Sequence, residues 1–336
     1  MFAIALGTGT QDAQGQWLEC FFPYPVRNPS DALVSALLND QSGSHAVDAG
    51  GLPALAQRLR DAGENAMADA ADTLAGGSAP VFVTALATDD APTSTAEVYL
   101  KLSLISSRQA KPHELNLTGL FAQLPNVAWT SEGAIALDEL PARQLKARAE
   151  GRYISVNSVD KFPRMADYIV PTGVRIGDAS RVRLGAHLGD GTTVMHEGFV
   201  NFNAGTTGVS MVEGRISAGV MVGEGSDLGG GCSTMGTLSG GNAIVISVGD
   251  QCLLGANSGL GIPLGDRCTV ESGLYLTAGS KVRVLNENGD ELKTVKARDL
   301  AGVSDLLFRR HSQTGAIECL ANARAIELNP ALHSHN

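Results

Sequence analysis

Large rings, paired cysteines, excess positive charge and long apolar runs are all scarce in this chain. Only 5% of its 336 residues are aromatic. The five cysteines (Cys20, Cys232, Cys252, Cys268, Cys319) are scattered and form no Cys-x-x-Cys pair, which removes support for zinc and dithiol redox motifs. They read as reduced thiols of a cytoplasm. Lys and Arg number 25 against 35 Asp and Glu, a net charge of −10. A nucleic-acid binder needs basic side chains to displace counterions, so that role is disfavoured, although a local basic pocket for a small anion is compatible with the composition. No stretch reaches the roughly 18 apolar residues of a membrane span. The opening MFAIALGTGTQD has no basic segment before its apolar stretch, so it does not read as a secretory signal. What is abundant is glycine: 40 residues, well above the usual ~7%. They do not fall at every third position as in collagen, so tight, repeated turns are expected.

The length suggests about two domains. Residues 1–112 read as an α/β domain, with strands at FAIAL, WLECFF and PVFVTALA. Helices are expected at PSDALVSALL, LPALAQRLRDAGENAMADAADTLA and AEVYLKLSLISSR, where apolar residues recur at three and four spacings. Gly7 and Gly9 form a GxG without the third glycine or the strand-turn-helix context of a dinucleotide site. Residues 113–168 read as a connecting helical region, with a helix over LDELPARQLKARAEG.

From residue 169 to 285 a period of six takes over. Val170, Ile176, Val182, Leu188, Val194 and Val200 stand six apart. The spacing resumes at Ile216, Val222 and Leu228, and again along Ile246, Cys252, Ser258, Leu264, Val270, Leu276 and Val282. One apolar residue in six does not suit a helix. It suits a solenoid of very short strands that turns a corner after each hexad. Cys232, Cys252 and Cys268 fall at inward or corner positions where a small apolar side chain fits. Residues 201–215 cost the register its phase, which predicts an inserted loop there. Residues 234–245 keep the phase but lack aliphatics, as either two degenerate hexads or an extruded loop. Residues 286–336 form a small C-terminal extension: RVLNENGDELKTV reads as a hairpin around Glu287-Asn288-Gly289, and KARDLAGVSDLLFRR as basic and partly helical.

The strings VMHEGFVNFNAGT, MVEGRISAGVMVGEGSDLGGGCSTMGTLSGG, CLLGANSGLGIPLGD and KARDLAGVSDLLFRR resemble the tetrahydrodipicolinate N-succinyltransferases of actinobacteria and pseudomonads. The resemblance extends more loosely into AEVYLKLSLIS and LPNVAWT. It implies a mainly β fold, a left-handed parallel β-helix of hexapeptide repeats with an N-terminal α/β domain. It further implies a homotrimer with sites between neighbouring solenoids. The implied reaction moves succinyl from succinyl-CoA to the amine of L-2-amino-6-oxopimelate, the ring-opened acceptor, in lysine and diaminopimelate biosynthesis. No cofactor is implied for the chemistry, and succinyl-CoA is the co-substrate.

Acyl transfer from a thioester needs a deprotonated amine, donors for the oxyanion and partners for anionic substrates. By resemblance Glu213 is the catalytic carboxylate, as base for direct attack or as carrier of an acyl anhydride. Arg215 has the planar fork that suits a carboxylate, and the resemblance puts it on the succinyl-CoA side. Gly230 and Ser233 match donor-binding positions, with Gly236 as a candidate oxyanion donor. Ala256, Glu271, Ser272 and Gly279 match positions along the CoA arm. Lys296, Arg309, Arg310, His311 and Ser312 supply the binding residues expected near the CoA phosphates. His187 and His196 are too few for a three-histidine zinc site. The resemblance also implies a structural divalent ion such as magnesium at the trimer axis, with Glu197 at one ligand position, but Ser180 stands where the other carboxylate is expected. Two other functions fit a hexapeptide solenoid: a different acyl-CoA or acyl-carrier-protein transferase, usually with a histidine base, and a non-catalytic scaffold. Neither needs the MVEGR and LLFRR strings.

Overall fold

The computed structural model describes residues 1–39, 41, 43–236 and 244–321. The chain separates into two compact units, one of Met1–Ala110, Glu114–Pro163 and Asp167–Ile169, the other of Lys111–His113, Arg164–Ala166 and Val170–Asn336.

In the first unit the strand Ala3–Gln11 lies between Trp17–Phe21 and Val81–Leu86, all antiparallel, with His45–Val47 beyond Val81–Leu86. Gly7 and Gly9 are inside this first strand rather than in a phosphate loop. The long helix expected over residues 52–75 is two helices, Leu52–Asp61 and Asn65–Ala75. They part at Gly63, whose φ of 84° a continuous helix cannot contain. Their apolar faces (Leu52, Leu55, Leu59; Met67, Ala71) pack with Ile4, Leu6 and Val83 of the sheet. The helix Thr95–Ser106 starts at Ser94, whose hydroxyl accepts from the Glu97 N–H, and is buried nearly all round. Lys101 sits in it with no exposed surface, and its Nζ donates to Asp89 Oδ1 (2.6 Å) and to the carbonyls of Asp90 (2.6 Å) and Asn116 (2.8 Å). All three ammonium donors are used, which is what makes a buried lysine tolerable. Residues 113–168 are less helical than expected. Besides Leu140–Ala149 they carry a three-stranded antiparallel sheet, with Val127–Thr130 between Gly133–Ala136 and Val156–Asp160. Strands this short show too little alternation to be read from sequence.

The second unit is a parallel β-helix with three faces. The first face stacks Arg175–Ile176, Thr192–Val194, Ser210–Val212, Ser226–Leu228, Leu253–Leu254 and Thr269–Val270. The second stacks Phe199–Val200, Arg215–Ile216, Ser233–Thr234, Gly259–Gly261 and Tyr275–Thr277. The third stacks Ala186–Leu188, Ala204–Thr206, Met221–Val222 and Ser247–Val248. Val182, Leu188, Val194 and Val200 point inward and are at most 1% exposed, as the period predicts. Val170, in contrast, is 65% exposed and lies before the first complete coil. In the upper coils the inward strand residues are Val248, Leu254 and Leu260, while Cys252 and Ser258 fill the corners two positions earlier. All five cysteines are buried free thiols, and burial pushes Cys232 and Cys319 up to about 12.

Residues 201–215 hold no insertion. They form two regular strands, Ala204–Thr206 and Ser210–Val212. The phase shifts because the turn from first to second face shortens. Residues 195–198, 229–232, 255–258 and 271–274 make four-residue corners, but 213–214 makes a two-residue one. Of the irregular stretch 234–245, residues 237–243 lie outside the described residues, as does the tail from 322.

The C-terminal hairpin forms as read: Lys281–Leu285 pairs antiparallel with Glu291–Lys296. The basic string is less helical than expected. After a short 3-10 turn at Ala297–Leu300, Leu306–Arg310 pairs parallel with Thr269–Val270 as a further rung of the first face. Phe308 fills its inward position with no exposed surface. Its non-inward neighbours Arg309 and Arg310 are thereby lined up with the corner of the coil below.

Candidate active site

The site is assembled by stacking. Each corner between first and second face donates a backbone N–H to the coil above. Glu213 donates to Leu228 O (2.9 Å), Gly229 to Leu254 O (2.8 Å), Gly255 to Val270 O (2.8 Å) and Glu271 to Phe308 O (2.9 Å). Glu213, Gly230, Ala256, Glu271, Ser272 and Arg310 therefore climb one edge of the solenoid. Small residues at Gly230 and Ala256 leave that edge open above Glu213.

Glu213 occupies the shortened corner. Its partly buried carboxylate makes no hydrogen bond among the described residues, and Oε2 lies beside Gly230, 3.4 Å from where a Cβ there would sit. The next residue must be glycine for a stronger reason. A Cβ on Gly214 would come within 2.3 Å of Cys232 Sγ and 2.6 Å of the Cys232 carbonyl. The corner is thus pinned tightly to the coil above, and Glu213 is held on a rigid support.

Arg215 begins the second face one residue beyond this corner. Its Nε and Nη2 donate to Ser233 Oγ at 3.2 and 2.7 Å. No carboxylate pairs with it among the described residues, so its charge is offered to the open cavity of about 400 Å³ that it lines with Ser233, Gly214, Gly231, Cys232, Phe199, Glu197 and Arg181. Cys232 is the thiol in this wall, but burial raises its pKa to about 12 and removes it as a nucleophile.

Higher up, the predicted residues separate. The Arg310 backbone N–H donates to Glu271 Oε2 (2.6 Å), tying the last rung to the corner below. Arg309 is paired with the buried Glu318 at 3.0 Å, which also meets Arg283 at 3.3 Å. His311 and Ser312 lie in the turn that leads to Ile317–Ala321, where His311 Nδ1 accepts from the Thr314 N–H. Gly279 follows the second-face strand Tyr275–Thr277, whereas Lys296 ends the hairpin strand at the far edge of the sheet that carries the first face. Gly236 follows Met235, whose N–H donates to Leu260 O, and is the last described residue before the gap.

Within one subunit, the described residues around Glu197 do not by themselves form a divalent-ion site. Its carboxylate pairs with Arg181 (3.3 Å), and the Ser180 hydroxyl donates to Asp178 (2.7 Å), whose pKa is lowered by that hydrogen bond. No cluster of three His, Cys, Asp or Glu side chains suited to a metal occurs among the described residues. His187 is buried with Nδ1 3.0 Å from Thr206 O, and His196 is apart from it at an exposed corner. Arg181 and Phe199, both lining the cavity, went unnoticed in the sequence. Their signal was available, since each immediately precedes an inward valine, as Arg215 precedes Ile216.

Among the described residues, a hexapeptide solenoid with a carboxylate that makes no hydrogen bond and a guanidinium that meets no counter-charge at one corner has the make-up of an acyltransferase. Comparison with known proteins narrows the class. Residues 124–164 match the family model described as tetrahydrodipicolinate N-succinyltransferase middle, and residues 245–278 match the hexapeptide repeat of succinyl-transferase. The chain is 60% identical to the 2,3,4,5-tetrahydropyridine-2,6-dicarboxylate N-succinyltransferase of Vibrio cholerae over 340 residues, covering 100% of this chain and 99% of the relative. It is 59% identical to that of Pseudomonas aeruginosa with the same coverage. A crystal structure of a putative N-succinyltransferase from Campylobacter jejuni superposes with a TM-score of 0.86 at 32% identity, covering 96% of this chain and 93% of that one. The chain belongs to the tetrahydrodipicolinate N-succinyltransferase family, which serves lysine and diaminopimelate biosynthesis.

Proposed function

We propose that the chain transfers succinyl from succinyl-CoA to the amine of ring-opened tetrahydrodipicolinate at the Glu213 corner. The observation that carries this reading is the carboxylate itself: rigidly held, without a hydrogen-bond partner among the described residues, and two residues from a guanidinium with no counter-charge among them. In direct attack, the amine nitrogen forms the bond to the thioester carbonyl carbon and its proton passes to Glu213. The carbon–sulfur bond then breaks, and CoA leaves as a thiolate that takes up a proton. An anhydride route would instead carry the succinyl group on Glu213 before the amine attacks. Arg215 pairs the terminal carboxylate of the succinyl group. The CoA arm follows the open edge past Gly230, Ala256 and Ser272 toward Arg310, the cation at its upper end.

The homotrimer implied by the resemblance fits the open edge and exposed faces of a single solenoid. A thiol-release assay with the acceptor tests the reading. Succinyl-CoA is expected to support turnover and acetyl-CoA to do so far more slowly. Equal rates, or release independent of the acceptor, would reject it. Light scattering under assay conditions is expected to find a trimer, and an active monomer would remove the shared site from the account.

A further inference from the structure

The second face continues below Arg215 with two residues that the reaction scheme leaves unused. Residues preceding an inward side chain point outward on a strand. Val182 bridges Val200, Phe199 pairs with Arg215 and Arg215 with Ser233. Arg181, Phe199, Arg215 and Ser233 therefore occupy successive rungs, and all four line the same cavity. Rungs are ~4.8 Å apart, so Arg181 and Arg215 start about 10 Å apart with Phe199 on the rung between them, its ring also met by the Arg183 guanidinium at 5.9 Å. The two guanidinium groups are held differently. Among the described residues, Arg215 has only the Ser233 hydroxyl. Arg181 donates from Nη2 to Glu197 (3.3 Å) and from Nε to His196 O (3.3 Å).

The relatives' substrate name specifies a dicarboxylate. One anion of the reaction, the succinyl terminus, is already assigned to Arg215. An acceptor whose amine lies at Glu213 still has a remote carboxylate at the other end of a seven-carbon chain. We infer that Arg181 receives that carboxylate and that Phe199 supports the hydrocarbon between, which makes Arg181 a specificity-determining residue for the acceptor. The inference rests on the proposed reaction. Glu197 then acts as a positioning residue. Its pair with Arg181 is exposed, 39% and 79% for the two side chains. Such a pair contributes little by itself. It ties down Nη2 and leaves other N–H groups of the fork for a second carboxylate.

The test is steady-state kinetics on the intact enzyme with each substrate varied in turn. R181Q is expected to raise the acceptor KM about 10- to 100-fold while the succinyl-CoA KM stays within about twofold. R181K, which keeps the charge without the fork, recovers part of the loss. Pimelate, an inert seven-carbon diacid, should compete with the acceptor in the wild type and weaken at least tenfold in R181Q, whereas heptanoate should not distinguish them. An unchanged acceptor KM, a matching rise in the succinyl-CoA KM, or undiminished pimelate inhibition would overturn the inference. The underlying reading fails differently: R215M would then raise the acceptor KM and leave the donor KM unchanged, whatever R181Q does.

Discussion

Glu213→Gln is expected to lower kcat by about 10²- to 10⁴-fold, the usual effect of losing a general base. The KM for succinyl-CoA should change by no more than a few-fold. Glutamine keeps the shape of the side chain and loses only its capacity to take a proton or to carry an acyl group. The corner itself should not move, because Gly214 packs against Cys232 and the Glu213 N–H bonds to Leu228 through the backbone. No hydrogen bond to the Glu213 carboxylate is lost among the described residues, so stability should be nearly unchanged. The measurement is turnover at saturating concentrations of both substrates, with CoA binding followed separately by calorimetry. Turnover within a few-fold of wild type would show that another group takes the proton.

Arg215→Met should collapse the preference between donors. Succinyl-CoA differs from propionyl-CoA by a terminal carboxylate. A site built around a guanidinium leaves that charge unpaired when the neutral chain binds. A charge-assisted hydrogen bond is worth about 1.5–3 kcal/mol, or ten- to a hundredfold in specificity. The kcat/KM for succinyl-CoA is therefore expected to fall by at least tenfold, with that for propionyl-CoA almost unchanged. The guanidinium leans on Ser233 alone among the described residues, so removing it breaks no ion pair. An equal fall with both donors would place Arg215 on the CoA body or the acceptor. No fall with either would leave the carboxylate to the backbone N–H groups around Gly230 and Ser233.

The period of six made the solenoid legible because each inward position tolerates little besides an aliphatic or small side chain. Val182, Leu188, Val194 and Val200 are the clearest case. The same reasoning misplaced the phase shift. A lost register looks alike whether residues are added or removed, and only the strand pairing shows that the 213–214 corner is two residues short. The long helix over residues 52–75 was over-read because apolar spacing continues across Gly63 while the backbone does not. The strands of residues 127–160 were missed because four-residue segments carry little pattern. LLFRR reads from sequence as part of a partly helical tail, since the strand it joins lies nearly forty residues earlier in the chain.

By itself, then, the sequence determined the repeat and the scatter of the thiols, because these follow from residue type and local spacing, and it offered candidates for acyl-transfer chemistry through its resemblance to a family. Which of them work together was decided only by the stacking of coils. Glu213 meets Gly230 and Arg215 meets Ser233 because parallel pairing sets residues sixteen to eighteen positions apart on adjacent rungs. The same stacking commits Glu197 to Arg181, and the antiparallel pairing of Leu306–Arg310 with Ile317–Ala321 commits Arg309 to the buried Glu318, charges that looked equally free in the linear chain. An ion pair depends on distances of a few ångströms between paired strands, and no local pattern encodes them.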